Sequence, residues 1–348
     1  MAAAPMLRVC SYEDRPEAIE GLILMGESLL RHSARVSLHL IVPDAPPPVH
    51  DWASGRARVE LSTEAPEGTQ GWDVKPRLLL AELNAGWEAA VWLDADVIVT
   101  APLEEVLAGY GAEELVAAEE WDRHAPILAA HEWGWRDARP LHPLNSCLLR
   151  ATGAHRTLLA RWLELTNEPR YRAAQALPFA RRPWHLNSDQ SLLTALLESE
   201  EFSRVPVAYL RLGRDIAQCA GSSGYRPLHR FLDLFRGLPP LIHCIGRKPW
   251  MPRSEPNPVQ RYLTALADDV SAYVLAARPV ARDLGMRPRW ILARTWPGSL
   301  LRTVTAGHPA LAGIPLAIPH ALLLRLRRLI NGVLSKLRRA ARAEERMG

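Results

Sequence analysis

Two aspartates follow a segment whose apolar side chains are typical of a buried β-strand. Residues 91–100 read VWLDADVIVT, in which Asp94 and Asp96 are separated by one residue. Because aspartate disfavours strands and an unpaired carboxylate is costly to bury, the two charges require a partner. A divalent cation such as Mg²⁺ or Mn²⁺ is one such partner, since these ions bind hard carboxylate oxygens. An aspartate-rich turn is the alternative interpretation.

Strand-like and helix-like apolar patterns alternate on both sides of this segment. The patterns predict strands at residues 7–12, 36–42, 114–119 and 144–150, and helices at residues 16–30, 74–83, 154–165 and 188–197. Asn187 is the expected N-cap of the last helix. This alternation indicates an α/β fold with a mostly parallel, doubly wound sheet. Ligands bind beyond the carboxyl ends of the strands in such sheets, which is where Asp94 and Asp96 fall.

Composition excludes several classes of protein. With 348 residues and 48% hydrophobic content, the chain has ample material for a globular core. The N-terminal residues show no export signal and no apolar run is long enough to span a membrane, so we expect a cytoplasmic protein. Its cysteines are widely spaced, which predicts reduced core residues rather than disulfides or a structural zinc site: Cys10, Cys147, Cys219 and Cys244.

Positive charge is concentrated at the C-terminus. Residues 321–348 carry eight Lys or Arg and two Glu, a net of +6, so the chain's total of +4 leaves −2 for the remainder. The absence of a basic body argues against a nucleic-acid partner. In the tail, apolar residues spaced by three and four form one helical face, namely Leu322, Leu326, Leu329, Ile330, Val333, Leu337 and Ala341. Such a helix is expected to bind an anionic membrane surface, or else to pack on the body with its basic face in solvent.

Further segments combine polar groups suited to chemistry. In HCIGRKPW, His243 could bind a metal, Gly246 allows close approach of the backbone to a phosphate, and Lys248 could neutralise a diphosphate; an ordinary surface loop is the alternative. In LNSDQSLLTALL, Asp189 and Gln190 either face a polar ligand at a helix N-terminus or cap that helix. Three more residues could contact a ligand or simply a turn or solvent: Asn145, Lys75 and Arg77.

The order of these motifs resembles the glycosyltransferase family 8 group, which includes glycogenin, the bacterial lipopolysaccharide galactosyltransferases and galactinol synthase. The resemblance covers about residues 7–250. It implies a GT-A fold, that is, a Rossmann-like, mostly parallel sheet flanked by helices, and here also a helical C-terminal extension. It further implies a UDP-sugar donor, Mn²⁺ or Mg²⁺, and transfer with retention of anomeric configuration.

The resemblance also assigns roles to individual positions. Asp94, Asp96 and His243 match the family's metal ligands. Asp189 and Gln190 match the pair beside the donor sugar, with Gln190 stabilising the developing oxocarbenium and Asp189 orienting the sugar. The remaining donor-binding candidates are Tyr12, Asp14, Lys75, Arg77, Asn145, Gly246 and Lys248. The chain departs from the family pattern by one residue fewer between Gly246 and Lys248, by Cys147 in place of a glycine, and by Ser191 in place of a second aspartate.

Together these observations predict a GT-A domain over residues 1–255 and a helical, basic membrane-association region over residues 256–348. The expected activity is metal-dependent transfer of a hexose from a UDP-sugar to a lipid-linked or envelope-glycan acceptor at the inner face of the membrane. A UDP-sugar-binding membrane scaffold and a nucleotidyltransferase are the alternatives, although a Gly-rich phosphate loop, which would favour the nucleotidyltransferase, is not seen near the N-terminus.

Tryptophans suited to sugar stacking or to core packing lie in the segment 121–143: Trp121, Trp133 and Trp135. Trp290 and Trp296 are expected to add interfacial anchors.

Overall fold

The computed structural model describes residues 7–326 and 330, apart from 69–70, 121–128, 137–138, 222–223, 252–254 and 256. The strands are β1 (Leu7–Tyr12), β2 (Val36–Ile41), β3 (Val59–Ser62), β4 (Ala89–Leu93), β5 (Val97–Val99), β6 (Leu115–Glu119), β7 (Leu144–Thr152), β8 (Val207–Leu210), β9 (Ile216–Cys219) and β10 (Leu241–Cys244).

The α-helices are α1 (Ile19–His32), α2 (Pro47–Ala53), α3 (Lys75–Asn84), α4 (Leu103–Leu107), α5 (Ala129–Glu132), α6 (Arg156–Thr166), α7 (Pro169–Gln175), α8 (Asp189–Glu198), α9 (Pro227–Arg236), α10 (Pro258–Asp269), α11 (Ala272–Asp283) and α12 (Trp296–Val304). Short 3-10 turns lie at Pro16–Ala18, Gly71–Val74, Gly153–His155, Phe179–Arg181 and Trp184–Leu186. Residues 314–326 are also helical.

A seven-stranded sheet with the order β3-β2-β1-β4-β7-β6-β8 forms the centre of the fold. All its pairings are parallel except those of β7, which runs antiparallel to both β4 and β6. Because β7 is reversed, its first residues lie at the sheet edge where β4 and β6 end. The predicted mostly parallel α/β sheet is therefore confirmed, and its one reversed strand brings residues 145–147 to the edge that carries the aspartates.

Helices cover both faces of this sheet, as the period-two alternation of the strands requires. On one face α3, α6 and α8 pack against a set that includes Cys10 and Trp92. On the other face α1, α2 and α4 pack against a set that includes Val9 and Val91. All four cysteines are buried and free, as the sequence predicts.

The aspartate segment is divided between two sheets. β4 ends at Leu93, and β5 begins at Val97 in a separate three-stranded sheet with the order β5-β10-β9. Asp94 and Asp96 therefore lie in a turn between sheets, where the amide of Val97 donates to the Asp94 carbonyl at 3.2 Å. The helix at 188–197 also begins slightly differently: Ser188, not Asn187, is the N-cap residue of α8.

The C-terminal helices begin within the body of the fold. α11 contributes Tyr273, Ala276 and Ala277 to a core that also contains Ile98 of β5 and Ile242 of β10. Trp290 belongs to the same core, is 4% exposed, and donates its indole N–H to Glu20 at 2.7 Å. The prediction of an interfacial anchor is therefore wrong for Trp290, whereas Trp296 is 74% exposed.

The predicted tail helix is described only in its first turns. Residues 321–326 are helical and Leu322, Leu326 and Ile330 are exposed. Leu329, Val333, Leu337 and Ala341 lie outside the described residues. Among the described helices, none is both long and apolar enough to cross a membrane.

Candidate functional site

Asp94, Asp96 and His243 meet at the junction of the two sheets. Each offers one ligand atom, and these atoms lie within 4.8 Å of one another. Antiparallel pairing of β10 with β5 places His243 opposite Val97, directly beside Asp96. His243 Nε2 lies 3.3 Å from Asp96 Oδ1, and both side chains are buried while Asp94 is partly exposed. His243 is thus held in a strand, not in the surface loop that the sequence left open.

These groups fit a divalent cation. Two carboxylates and an imidazole are a donor set that Mn²⁺ and Mg²⁺ accept. Asp96 Oδ1, which faces His243 Nε2, is buried and makes no hydrogen bond within the described part of the chain. Buried polar atoms of this kind require an explanation, and an ion bound by the cluster supplies one.

Two lysines compensate the carboxylates. Lys75 at the start of α3 lies 3.2 Å from Asp94 and 3.5 Å from Asp189, and donates to Ser146 Oγ at 2.8 Å. Burial lowers the pKa of Lys75, but the charges of Asp189 and then Asp94 raise it above its usual value overall. Because the Lys75 side chain is only 5% exposed, it serves as an internal counter-ion at the site.

Lys248 is the counter-ion of Asp96, as Lys75 is of Asp94 and Asp189. Its ammonium contacts Asp96 Oδ2 and donates to the Cys244 carbonyl. Burial would raise the pKa of Asp96, but the charge of Lys248, followed by that of His243, lowers it well below its usual range. Despite the shortened motif, Lys248 therefore reaches the candidate metal cluster. Gly246, two residues earlier, has a φ of 71°, a conformation that glycine adopts without strain.

A row of amides follows along the edge formed by β6, β7 and α8. The Gln190 carboxamide accepts a hydrogen bond from the Ser146 amide at 3.1 Å and donates one to Glu120 at 3.1 Å. Asn145 donates to the same Glu120 carboxylate at 2.9 Å and accepts from the Cys147 amide at 3.0 Å. These bonds fix the orientation of both amide side chains.

Asp189 lies beneath this row. It is 3% exposed and accepts a hydrogen bond from Ser146 Oγ at 3.2 Å. Burial raises the pKa of Asp189, Lys75 lowers it and Asp94 raises it, and the balance lies above the usual value. Lys75 is therefore the group that offsets the effect of burial on Asp189.

The N-terminal candidates lie at the end of β1, the strand next to β4. The Tyr12 hydroxyl donates to Asp14 at 3.1 Å, and Asp14 also accepts from the Gly71 amide at 3.3 Å. Burial, followed by the charge of Asp14, raises the pKa of Tyr12.

Arg77, in helix α3, is half-buried, and its Nε makes no hydrogen bond to any described residue.

Three polar residues of the site were missed by the sequence analysis. Glu120 orients both Gln190 and Asn145, Ser146 bridges Lys75 and Asp189, and Arg15 is paired with Glu13 at 2.7 Å. The pKa of Arg15 is raised chiefly by its hydrogen bond to Glu13, with a smaller contribution from the charge of Asp96. The position of Glu120 directly after β6 was the signal that could have identified it.

The tryptophans of segment 121–143 differ in environment. Trp133 is 8% exposed and belongs to the core, where it stacks on Trp135 at 5.0 Å between ring centroids. The Arg170 guanidinium lies 3.5 Å from the Trp133 ring. Core packing is thus the role that the structure gives Trp133, and Trp121 lies outside the described residues.

No family model and no curated protein matches the sequence. Solved structures with a similar fold are glycosyltransferases. The galactosyltransferase LgtC, in complex with donor and acceptor sugar analogues, gives a TM-score of 0.50 at 15% identity, covering 82% of this chain and 100% of LgtC. An active-site mutant of LgtC gives a TM-score of 0.50 at 14% identity with the same coverage.

The bifunctional glycosyltransferase WbbM gives a TM-score of 0.46 at 14% identity, and this chain spans only 48% of the length of WbbM. The likeness to LgtC, together with the strand order, establishes that this chain has the GT-A fold.

The first prediction compares the contributions of Lys75 and its neighbour Arg77 to the stability of the fold. Substituting Lys75→Met should lower the free energy of unfolding by about 3 kcal/mol, because it leaves Asp94 and Asp189 close together without their shared cation. The deficit should shrink as the pH falls, since protonated Asp189 no longer needs a counter-ion. Denaturant unfolding at several pH values measures both effects.

Arg77→Met is the matched control. Its guanidinium makes no described ion pair, so the change in unfolding free energy should stay within about 0.5 kcal/mol. Equal destabilisation by the two substitutions, or a deficit in Lys75→Met that does not change with pH, would contradict the counter-ion role.

Proposed function

We propose that the chain is a metal-dependent, retaining glycosyltransferase of the family 8 type that transfers a hexose from a UDP-sugar. The observation that carries the proposal is the cluster of Asp94, Asp96 and His243 at the ligand-binding edge of a GT-A sheet, with Gln190 on the same edge. LgtC, whose fold is similar, was solved with donor and acceptor sugar analogues. A fold of this kind supports the class of reaction, and the cluster supports metal dependence.

Asp94, Asp96 and His243 would hold Mn²⁺ or Mg²⁺. When bound, the ion would supply Lewis acidity toward the diphosphate leaving group. The protein prepares this site in advance: Lys75 lies beside the partly exposed Asp94, and Lys248 contacts the buried Asp96. Lys248, in contact with Asp96, would add positive charge toward a diphosphate, and Gly246 leaves room for its close approach.

Gln190 would act on the sugar. An amide is a poor nucleophile, so its contribution is electrostatic: an oriented dipole near the carbon that becomes positively charged. The hydrogen bonds from the Ser146 amide and to Glu120 hold this dipole in one orientation before the substrate binds. Asp189 would orient the sugar, Asn145 would contact its hydroxyl groups, and Tyr12 with Asp14 would hold the nucleoside.

The charge and the exposed apolar residues of the C-terminal region are the basis for the acceptor that we propose. We propose a lipid-linked or envelope-glycan acceptor, with the protein held at the inner face of a membrane by residues 321–348. The net charge of +6 in this segment suits anionic lipid, and Leu322, Leu326 and Ile330 present an exposed apolar face.

The test of the proposed function is a screen of UDP-glucose, UDP-galactose and their N-acetyl forms for Mn²⁺-dependent release of UDP. Asp96→Asn should reduce this release by on the order of 100-fold or more, since it removes a ligand to the ion. Asp51→Asn, a change of an exposed aspartate, is the control and should leave the rate unchanged.

Other outcomes of the screen would support another function or another set of metal ligands. A chain that releases no UDP in this screen, but forms a UDP-sugar and pyrophosphate from UTP and a sugar 1-phosphate, would be a nucleotidyltransferase. Nucleotide-sugar binding without turnover would indicate a scaffold. Full activity of Asp96→Asn would remove this residue from the ligand set.

A further prediction concerns Gln190. Gln190→Ala should lower kcat by about 10-fold or more and leave the KM for the donor nearly unchanged, because an interaction made with the transition state affects kcat. Steady-state kinetics with the donor found in the screen measures this, with Gln260→Ala on the exposed side of α10 as control. A pure change in KM would reassign Gln190 to ground-state binding.

A further inference from the structure

Helix α9 buries two charged side chains and exposes large apolar ones, the opposite of an ordinary surface helix. Arg230 and Asp233 are its buried residues, at 1% and 3% exposure. The large apolar side chains Leu228, Phe231 and Phe235 are 65%, 53% and 76% exposed. A surface helix normally turns its apolar face inward, so the outward face of α9 requires a partner.

Specific contacts hold α9 in this orientation. Arg230 donates to the Tyr225 carbonyl at 2.9 Å and to the Pro309 and Ala310 carbonyls at 3.1 Å. Asp233 accepts a hydrogen bond from the Tyr225 hydroxyl at 2.6 Å. A Cβ at Gly313 would lie 2.6 Å from the Arg230 guanidinium, so glycine there leaves room for the arginine. The buried charges are satisfied, and rotation of α9 to bury its phenylalanines would break these bonds.

The outward face of α9 continues into a groove of about 510 Å³ shared with the helix at residues 314–326. Leu228 lines it from α9, and Ile318 and Leu322 line it from the second helix. Arg226 and Arg325 also line the groove. We refer to Phe231, Phe235 and these groove residues as the α9 surface.

We propose that the α9 surface docks on an anionic lipid bilayer, with Phe231 and Phe235 entering the headgroup boundary. This rests on the membrane part of the proposed function and extends the docking surface from residues 321–348 to helix α9, with which they share the groove. Exposed aromatic and aliphatic side chains flanked by arginines match such a surface. The one carboxylate of α9, Asp233, is buried, so no acidic side chain of the helix opposes the anionic headgroups.

Charge also argues against a second copy of the chain as the partner. A symmetric dimer through this face would bring Arg226 and Arg325 of both copies into one interface, with no carboxylate from α9 to offset their charge. Anionic lipid instead pairs with the arginines and covers the apolar residues.

The experiment compares the full chain with Phe231→Ser/Phe235→Ser in co-sedimentation with phosphatidylglycerol–phosphatidylcholine vesicles. Both side chains point outward, so circular dichroism and the unfolding midpoint should be unchanged. Vesicle binding should fall at least tenfold. Leu177→Ser/Phe179→Ser is the matched control, since it removes an exposed apolar pair distant in sequence and should bind as the unchanged chain does.

A second measurement locates the contact. All four native cysteines are buried, so an environment-sensitive fluorophore can be attached selectively to Phe235→Cys. Its emission should shift to the blue on adding anionic vesicles and stay unchanged on raising the protein concentration without lipid.

The outcomes separate this proposal from the proposed function. If the phenylalanine variant binds vesicles as tightly as the unchanged chain, the α9 proposal fails, even if deleting residues 321–348 abolishes binding. A blue shift that follows protein concentration instead of lipid would identify a second copy as the partner and overturn the proposal. If the full chain does not bind vesicles at all, the α9 proposal and the membrane assignment both fail, while Mn²⁺-dependent UDP release still tests sugar transfer.

Discussion

The structure depends on balancing three carboxylates that lie together at the edge of the sheet. Asp96 and Asp189 are buried, where uncompensated charges would be costly, and Asp94 beside them is partly exposed. Lys75 lies between Asp94 and Asp189, and Lys248 contacts Asp96. This arrangement leaves one oxygen of Asp96 without a hydrogen bond in the described part of the chain, which is the state expected of a site built for a cation.

The topology of the sheet places the other polar groups of the site beside these carboxylates. Because β7 alone runs against its neighbours, residues 145–147 meet the ends of β4 and β6. Ser146 then contacts Lys75, Asp189 and Gln190, which links the start of α3 to the start of α8. The site is thus carried by strand ends and helix starts, elements that hold side chains more firmly than loops do.

Local patterns predicted the strands β1, β2, β4, β6 and β7 and the helices α1, α3, α6 and α8, because hydrophobic period is a property of the sequence itself. The shorter strands and the helices α2, α4, α5, α7 and α9 were not predicted. Residue type and motif order pointed to Asp94, Asp96 and His243. The roles of Glu120 and Ser146 could not be predicted in this way, since they arise from the pairing register of β6 and β7. Trp290 was misassigned because a tryptophan near basic residues suits an interface or a core equally, and only its contact with Glu20 decides. The reversed polarity of α9 likewise depends on Arg230 reaching carbonyls 79 and 80 residues away.

The most direct test of the central claim is a titration of Mn²⁺ into the full chain with UDP present, followed by electron paramagnetic resonance. The account predicts one bound ion per chain, because within the described residues one cluster, of two aspartates and a histidine, brings its ligand atoms together. Binding should weaken by roughly 10- to 100-fold or more in His243→Ala and stay unchanged in His50→Ala. A chain that binds no Mn²⁺ with UDP, or that binds it equally well without His243, would contradict the account.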